Sequence, residues 1–143
     1  MLVGNMLRFE LLSRYGRNQQ ILDEALGYWL YMAERTGTLW EHETPNQSCT
    51  DGYQSHAGHV LLRDVLGLAR VDAVSKTVRV RFADLTLPAC SGSVPTPDGS
   101  VELAWRKENG RLVYQLKVPK GYRVDIDNRS GLTLVKEGGT SKK

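Results

Sequence analysis

VELAWRKENGRLVYQLKV, residues 101–118, reads as two strands and the turn that joins them. Val101, Leu103 and Trp105 share one face of the first run, and Leu112, Tyr114, Leu116 and Val118 share one face of the second. Successive side chains leave opposite faces of a pleated backbone, so this period of two is the mark of a half-buried strand. Asn109-Gly110 between them tolerates the positive φ angles of a two-residue type I′ turn, which makes the pair a hairpin. Upstream, Val78, Val80 and Phe82 alternate with Thr77, Arg79 and Arg81 in the same way. Downstream, Pro119-Lys120-Gly121 signals a further turn before Tyr122, Val124 and Ile126, and Leu132, Leu134 and Val135 close the series. Short strands spaced by turn signals predict an antiparallel β-sandwich over residues 71–137, followed by a polar tail at 138–143.

Residues 1–70 follow a different period. From Leu2 to Tyr15 the apolar residues point in nearly every direction, as in a helix buried on more than one side. Gly16 suits the left-handed position that ends it, and Asn18 is placed to cap the next helix. Leu22, Ala25, Leu26, Trp29, Met32 and Ala33 then trace a stripe by steps of three and four, and Gly37 ends it. A third helix is predicted from near Ser55 through Leu61, Leu62, Val65 and Leu66 to about Gly67. The fold class is therefore α+β: a helical segment over 1–70, then the sandwich. So few helices, apolar on so many sides, cannot enclose a core, which predicts that this half belongs to a larger helical body. Its bare faces are candidates for self-association.

Composition narrows the function. The chain has 143 residues, 41% hydrophobic and 24% charged, a globular balance. It lacks a run of about 18 apolar residues, so no membrane-spanning helix is predicted. Cys49 and Cys90 have no zinc-ligand spacing around them, and two cysteines make no disulfide framework. Six basic and eight acidic residues lie in 1–70, against thirteen and eight in 71–143. The basic excess alternates with apolar positions along strands and reads as the solvated face of a sheet, with no nucleic-acid-binding motif beside it. No glycine-rich phosphate loop or Gly-x-Ser-x-Gly elbow occurs, and no cofactor is expected.

Chemistry concentrates in Thr38 to Gln54, a 17-residue run without clear periodicity. Loops of that length in compact domains are commonly functional, and disorder rarely carries aromatics. Glu41 follows Trp40, and a carboxylate beside an indole loses part of its hydration, which suits it to acid–base work. An ordinary solvated glutamate after a core tryptophan is the competing reading. Trp40 and Tyr53 are loop aromatics able to stack on a sugar face. His56 and His59, three apart, have the spacing of helical metal ligands but no third ligand, so no metal is expected.

The run Gly37 to Leu68, GTLWEHETPNQSCTDGYQSHAGHVLLRDVLGL, resembles the end of the catalytic domain of bacterial α-L-rhamnosidases of the inverting glycoside hydrolase kind. The helices before it resemble that domain's penultimate hairpin, and VPTPDGSVELAWRKENGRLVYQLKVPKGYRVDIDN resembles the family's carboxy-terminal β-sandwich. The resemblance implies that residues 1–70 are the last hairpins of a six-hairpin α/α toroid. It implies Glu41 as the general base that activates water, with Trp40 lining the rhamnose subsite, and rhamnose-containing glycans as substrates. Thr50-Asp51 stands where the family carries Asn-His, so His56 is the candidate to compensate for that contact, and the loop aromatic Tyr53 is the further candidate for binding the sugar. The general acid lies far upstream in the family. Inversion needs two carboxyl groups about 6.5–9.5 Å apart, so a carboxy-terminal portion holding only the base is expected to be inactive alone. Two readings compete: a non-catalytic carbohydrate-binding or scaffolding module centred on the sandwich, and a partner-binding domain using the bare helices.

Overall fold

The computed structural model describes residues 2–40 and 55–138. Helices come first and strands second, the α+β order predicted. The chain divides into two compact units, Met1–Leu61 and Leu62–Lys143.

In the first unit the helices are α1 (Leu2–Arg14), α2 (Asn18–Glu24), α3 (Leu30–Thr36) and α4 (His56–Val60). Gly16 and Gly37 take φ of 66° and 73°, the left-handed geometry that stops α1 and α3. The Gly37 amide donates to the Ala33 carbonyl at 2.8 Å. Asn18 does not cap α2 as predicted. It is the first helical residue and is buried, and Arg17 occupies the cap position without a side-chain hydrogen bond.

A π-helical stretch, Ala25–Trp29, carries the chain from α2 into α3 without a break. The wider π turn shifts the angular phase of the residues beyond it. Ile21, Leu22, Ala25, Trp29 and Met32 are buried, while Leu26 and Ala33, expected in the same stripe, are exposed. Phe9 of α1 lies against Trp29 with ring centroids 4.6 Å apart, and Arg8 pairs with Glu24. The outer side stays apolar: Leu7 and Leu11 on α1 and Tyr15 in the turn after it, spaced by four, are 55%, 52% and 74% exposed. Leu26 and Leu30 form a second such pair, again four residues apart. No helix among the described residues is long and apolar enough to cross a membrane.

A second π-helical stretch, Leu61–Leu66, leads to Gly67. There φ is 101°, and an added Cβ would stand 2.6 Å from the Arg81 carbonyl oxygen, so this turn requires glycine. Seven strands follow: β1 (Leu68–Asp72), β2 (Thr77–Ala83), β3 (Ala89–Thr96), β4 (Gly99–Glu108), β5 (Arg111–Lys117), β6 (Arg123–Arg129) and β7 (Thr133–Lys136). They form a three-stranded sheet, β1-β2-β6, and a four-stranded sheet, β3-β4-β5-β7. Antiparallel pairing joins β1 to β2, β3 to β4 and β4 to β5, and the later strands β6 and β7 add in parallel to β2 and β5. The sheets bury their facing sides against each other, Phe82 of β2 meeting Tyr114 of β5 at 5.1 Å between rings. Val78, Val80, Val101, Leu103, Trp105 and Leu112 complete this core, as the alternation predicted. Asn109 and Gly110 have φ of 49° and 73°, the type I′ turn read from their identities.

One polar cluster ties β4 to the chain after β7. Arg106 and Glu137 form a two-pronged pair, and the Gln115 amide donates to Glu137 Oε2 at 2.6 Å. The Arg106 hydrogen bond, helped by Gln115, holds the Glu137 carboxyl down at about 2, while Glu137 raises the guanidinium. A carboxyl whose folded value lies below its unfolded one stabilises the fold above the unfolded value, and that contribution fades as pH falls toward the folded one. The Glu137→Gln protein is therefore expected to be less stable than the parent at pH 6. The gap should shrink steadily between about pH 4.5 and about pH 2. Urea midpoints of the sheet unit at pH 6, 4 and 2.5 check this, and a gap that does not depend on pH contradicts it.

Candidate functional site

Of the four residues singled out for a sugar site, Trp40 and His56 are described, and Glu41 and Tyr53 lie outside the described residues. Trp40 sits three residues beyond the glycine that ends α3. Its indole Nε1 donates to Thr36 Oγ1 at 2.6 Å, and its backbone amide lies 3.4 Å from Met32 Sδ. Thr36 Oγ1 lies 2.9 Å from Thr38 Oγ1 and 3.4 Å from the Met32 carbonyl, so the acceptor of the indole is itself held on both sides. Tyr31 meets Trp40 edge to face at 5.9 Å, and the Arg35 guanidinium lies 4.4 Å over the Tyr31 ring. With 1% of its surface exposed, Trp40 is an anchored side chain folded back on α3. The sequence reason is local: Gly37 reverses the chain, and Thr36 stands four residues before the indole it receives.

His56 opens α4, with Ser55 at the cap position. Its Nε2 lies 2.8 Å from Glu10 Oε1 on α1, and its ring is 5.8 Å from that of His59 one turn later. The His56 side chain is partly buried, at 22% exposure. Glu10 is a polar partner that sequence reading did not find. It lies 46 positions away within a helix read only for its apolar residues, and no spacing rule links the two. The carboxylate accepts from Nε2–H and so fixes the tautomer, which leaves Nδ1 of the neutral ring as an acceptor for a ligand hydroxyl.

Among the described residues no group of three or more His, Cys, Asp or Glu side chains is arranged to hold a metal ion. Cys90 is a free thiol whose proton affinity burial raises, which leaves it a poor nucleophile. The chemistry at hand is thus that of an anchored indole preceding a glutamate, and of a histidine–carboxylate pair at the head of the following helix.

No protein-family model matches the chain, and no curated protein matches it. Among solved structures it is similar to the GH78 family rhamnosidase of Bacillus sp. GL1, with a TM-score of 0.77 and 22% sequence identity. The match covers 94% of this chain and 16% of that one. The chain therefore has the fold of a limited part of that protein, helices and strands together.

Proposed function

We propose that the chain is the carboxy-terminal part of an inverting α-L-rhamnosidase-like glycoside hydrolase. In this reading the helices are the last hairpins of an α/α toroid and Glu41 is the general base. One observation carries it: the Trp40-Glu41 pair lies in a chain that shares its fold over 94% of its length with a rhamnosidase. The exposed apolar stripes of α1 and of the α2–α3 helix support it, because they are faces that further helices would cover.

The proposed roles follow from chemistry. Glu41 takes a proton from a water placed below the anomeric carbon. The water oxygen bonds to that carbon as the glycosidic C–O bond breaks, and a carboxylic acid elsewhere in the enzyme protonates the leaving oxygen. Trp40, buried and fixed by Thr36, anchors the chain immediately before Glu41. Tyr53 and His56 supply a stacking surface and a hydrogen-bonding ring.

Two assays test this. The 143-residue chain alone should show no turnover of an aryl α-L-rhamnoside, because it lacks the acid. A chimera in which this chain replaces the matching part of the Bacillus enzyme should regain turnover. A folded chimera without activity, or robust turnover by the isolated chain, sinks the reading.

A further inference from the structure

We propose that the outer face of the four-stranded sheet carries a second carbohydrate site, a shallow polar cup that takes one neutral pyranose. The sugar class rests on the glycan reading above, but the cup is argued from its own geometry.

Pairing register aligns Ser91, Ala104 and Gln115 in one outward row across β3, β4 and β5. Two of these three side chains are too short to fill the space that the neighbouring rows enclose. The row of Ser93, Glu102 and Lys117 stands on one side, and Arg106 stands on the other. A hollow of about 380 Å³ lies against the first side, with Glu137 also in its wall, and a second of about 470 Å³ lies against Arg106; Ser91, Ala104 and Gln115 line both. Volumes of this order accommodate small ligands.

The rim decides what kind of ligand fits. Lys117 bonds Glu102 at 2.9 Å, and Arg106 and Gln115 both bond Glu137. Just beyond the rim Arg106 also bonds Glu108 at 3.2 Å, so two cations face three carboxylates, each held in an ion pair, and no positive field is left to collect a phosphate or a nucleic acid. An apolar ligand would strip water from four charged groups without replacing their hydrogen bonds. A sugar does neither. Each of its hydroxyls donates and accepts, and vicinal pairs match donors set beside acceptors, as ammonium beside carboxylate and amide beside carboxylate are here. The rim side chains are already held by their partners, so ordering them on binding costs little entropy. The Ala104 methyl offers the floor a small apolar contact for sugar C–H groups. With no aromatic platform in the cup, binding is weak.

The test is an amide-resolved NMR titration of the 143-residue chain with methyl α-L-rhamnopyranoside, with glycerol at equal hydroxyl concentration as the control. The expected result is saturable shifts at Ser91, Ala104 and Gln115, half-saturating in the millimolar range (~−4 kcal/mol at 1 mM), which glycerol does not reproduce. Ala104→Tyr, which fills the cup from a half-buried, outward-facing strand position, should abolish them. Gln115→Ala should weaken them by about three- to tenfold, and it decides the matter if the tyrosine variant does not fold. Glu41→Gln should leave them unchanged. Absent or non-saturating shifts, equal shifts with glycerol, or shifts that survive the filling variant overturn the proposal. Perturbation confined to the amides of Trp40 and His56 overturns it too, while favouring the catalytic reading. Saturable shifts in the cup beside an inactive chimera would leave the cup standing and sink only the catalytic reading.

Discussion

Glu41→Gln in the chimera should lower kcat for an aryl α-L-rhamnoside by about a hundred- to ten-thousandfold, the usual worth of a general base. The amide keeps the size of the carboxylate but cannot accept the proton that water must lose as it attacks. KM should change little, because the base acts on water and not on the sugar ring. Added azide separates this role from a structural one. Azide attacks without giving up a proton, so it needs no base: its nitrogen bonds to the anomeric carbon, the C–O bond breaks, and the distant acid still protonates the leaving oxygen. The variant should recover turnover with azide and release the inverted β-rhamnosyl azide. Loss of activity that azide does not relieve would mean that Glu41 holds the loop in place. Unchanged kcat would remove it from the reaction altogether.

How far the sequence could be read depended on whether a signal was local. The hairpin of β4 and β5 was legible because both of its determinants, period-two burial and Asn109-Gly110, lie within one short run of chain. Strand β3 was not, since Ala89-Cys90-Ser91-Gly92-Ser93 offers no large alternating side chains. Its place is set by pairing with β4, with Gly92 packed so closely that a Cβ would stand 2.9 Å from a Leu66 methyl. Strand β1 was hidden by the helix that runs into it. Parallel addition of β6 and β7 is likewise a long-range choice that no local pattern announces. In the helices, Gly16 and Gly37 were readable stops, but the π-helical turn at Ala25–Trp29 broke the stripe logic by changing the angular phase midway. At the candidate site, the indole–threonine bond is local but was not legible either, because Gly37 ends the helix between the two residues and no spacing rule holds across that turn. Nor was the His56–Glu10 pair, because tertiary packing brings it together.

Trp105→Ala should produce the largest stability loss in the sheet unit, about 3–5 kcal/mol. Trp105 is 5% exposed at the centre of β4, and its indole Nε1 donates to the Leu66 carbonyl at 2.9 Å. That carbonyl ends the second π-helical stretch, where helix acceptors run out of amide partners, and Leu66 itself is buried. One side chain thus fills the inter-sheet space and satisfies a buried helix end. Two substitutions divide these roles. Trp105→Phe keeps most of the ring volume but removes the N–H, leaving the carbonyl dry and unpaired at a cost of about 1–3 kcal/mol. Trp105→Ala adds the cavity to that loss. Urea denaturation followed by far-UV circular dichroism, with amide exchange at Gly67 and Leu68 to localise the effect, measures both. The phenylalanine variant should raise exchange at the helix end more than in β5, whereas alanine should raise it throughout the sheet core. If phenylalanine is as stable as the parent, the indole–carbonyl bond contributes nothing and packing alone holds the helix end to the strands. If alanine costs less than about 1 kcal/mol, well below the range for a buried tryptophan, this side chain is not the centre of the core.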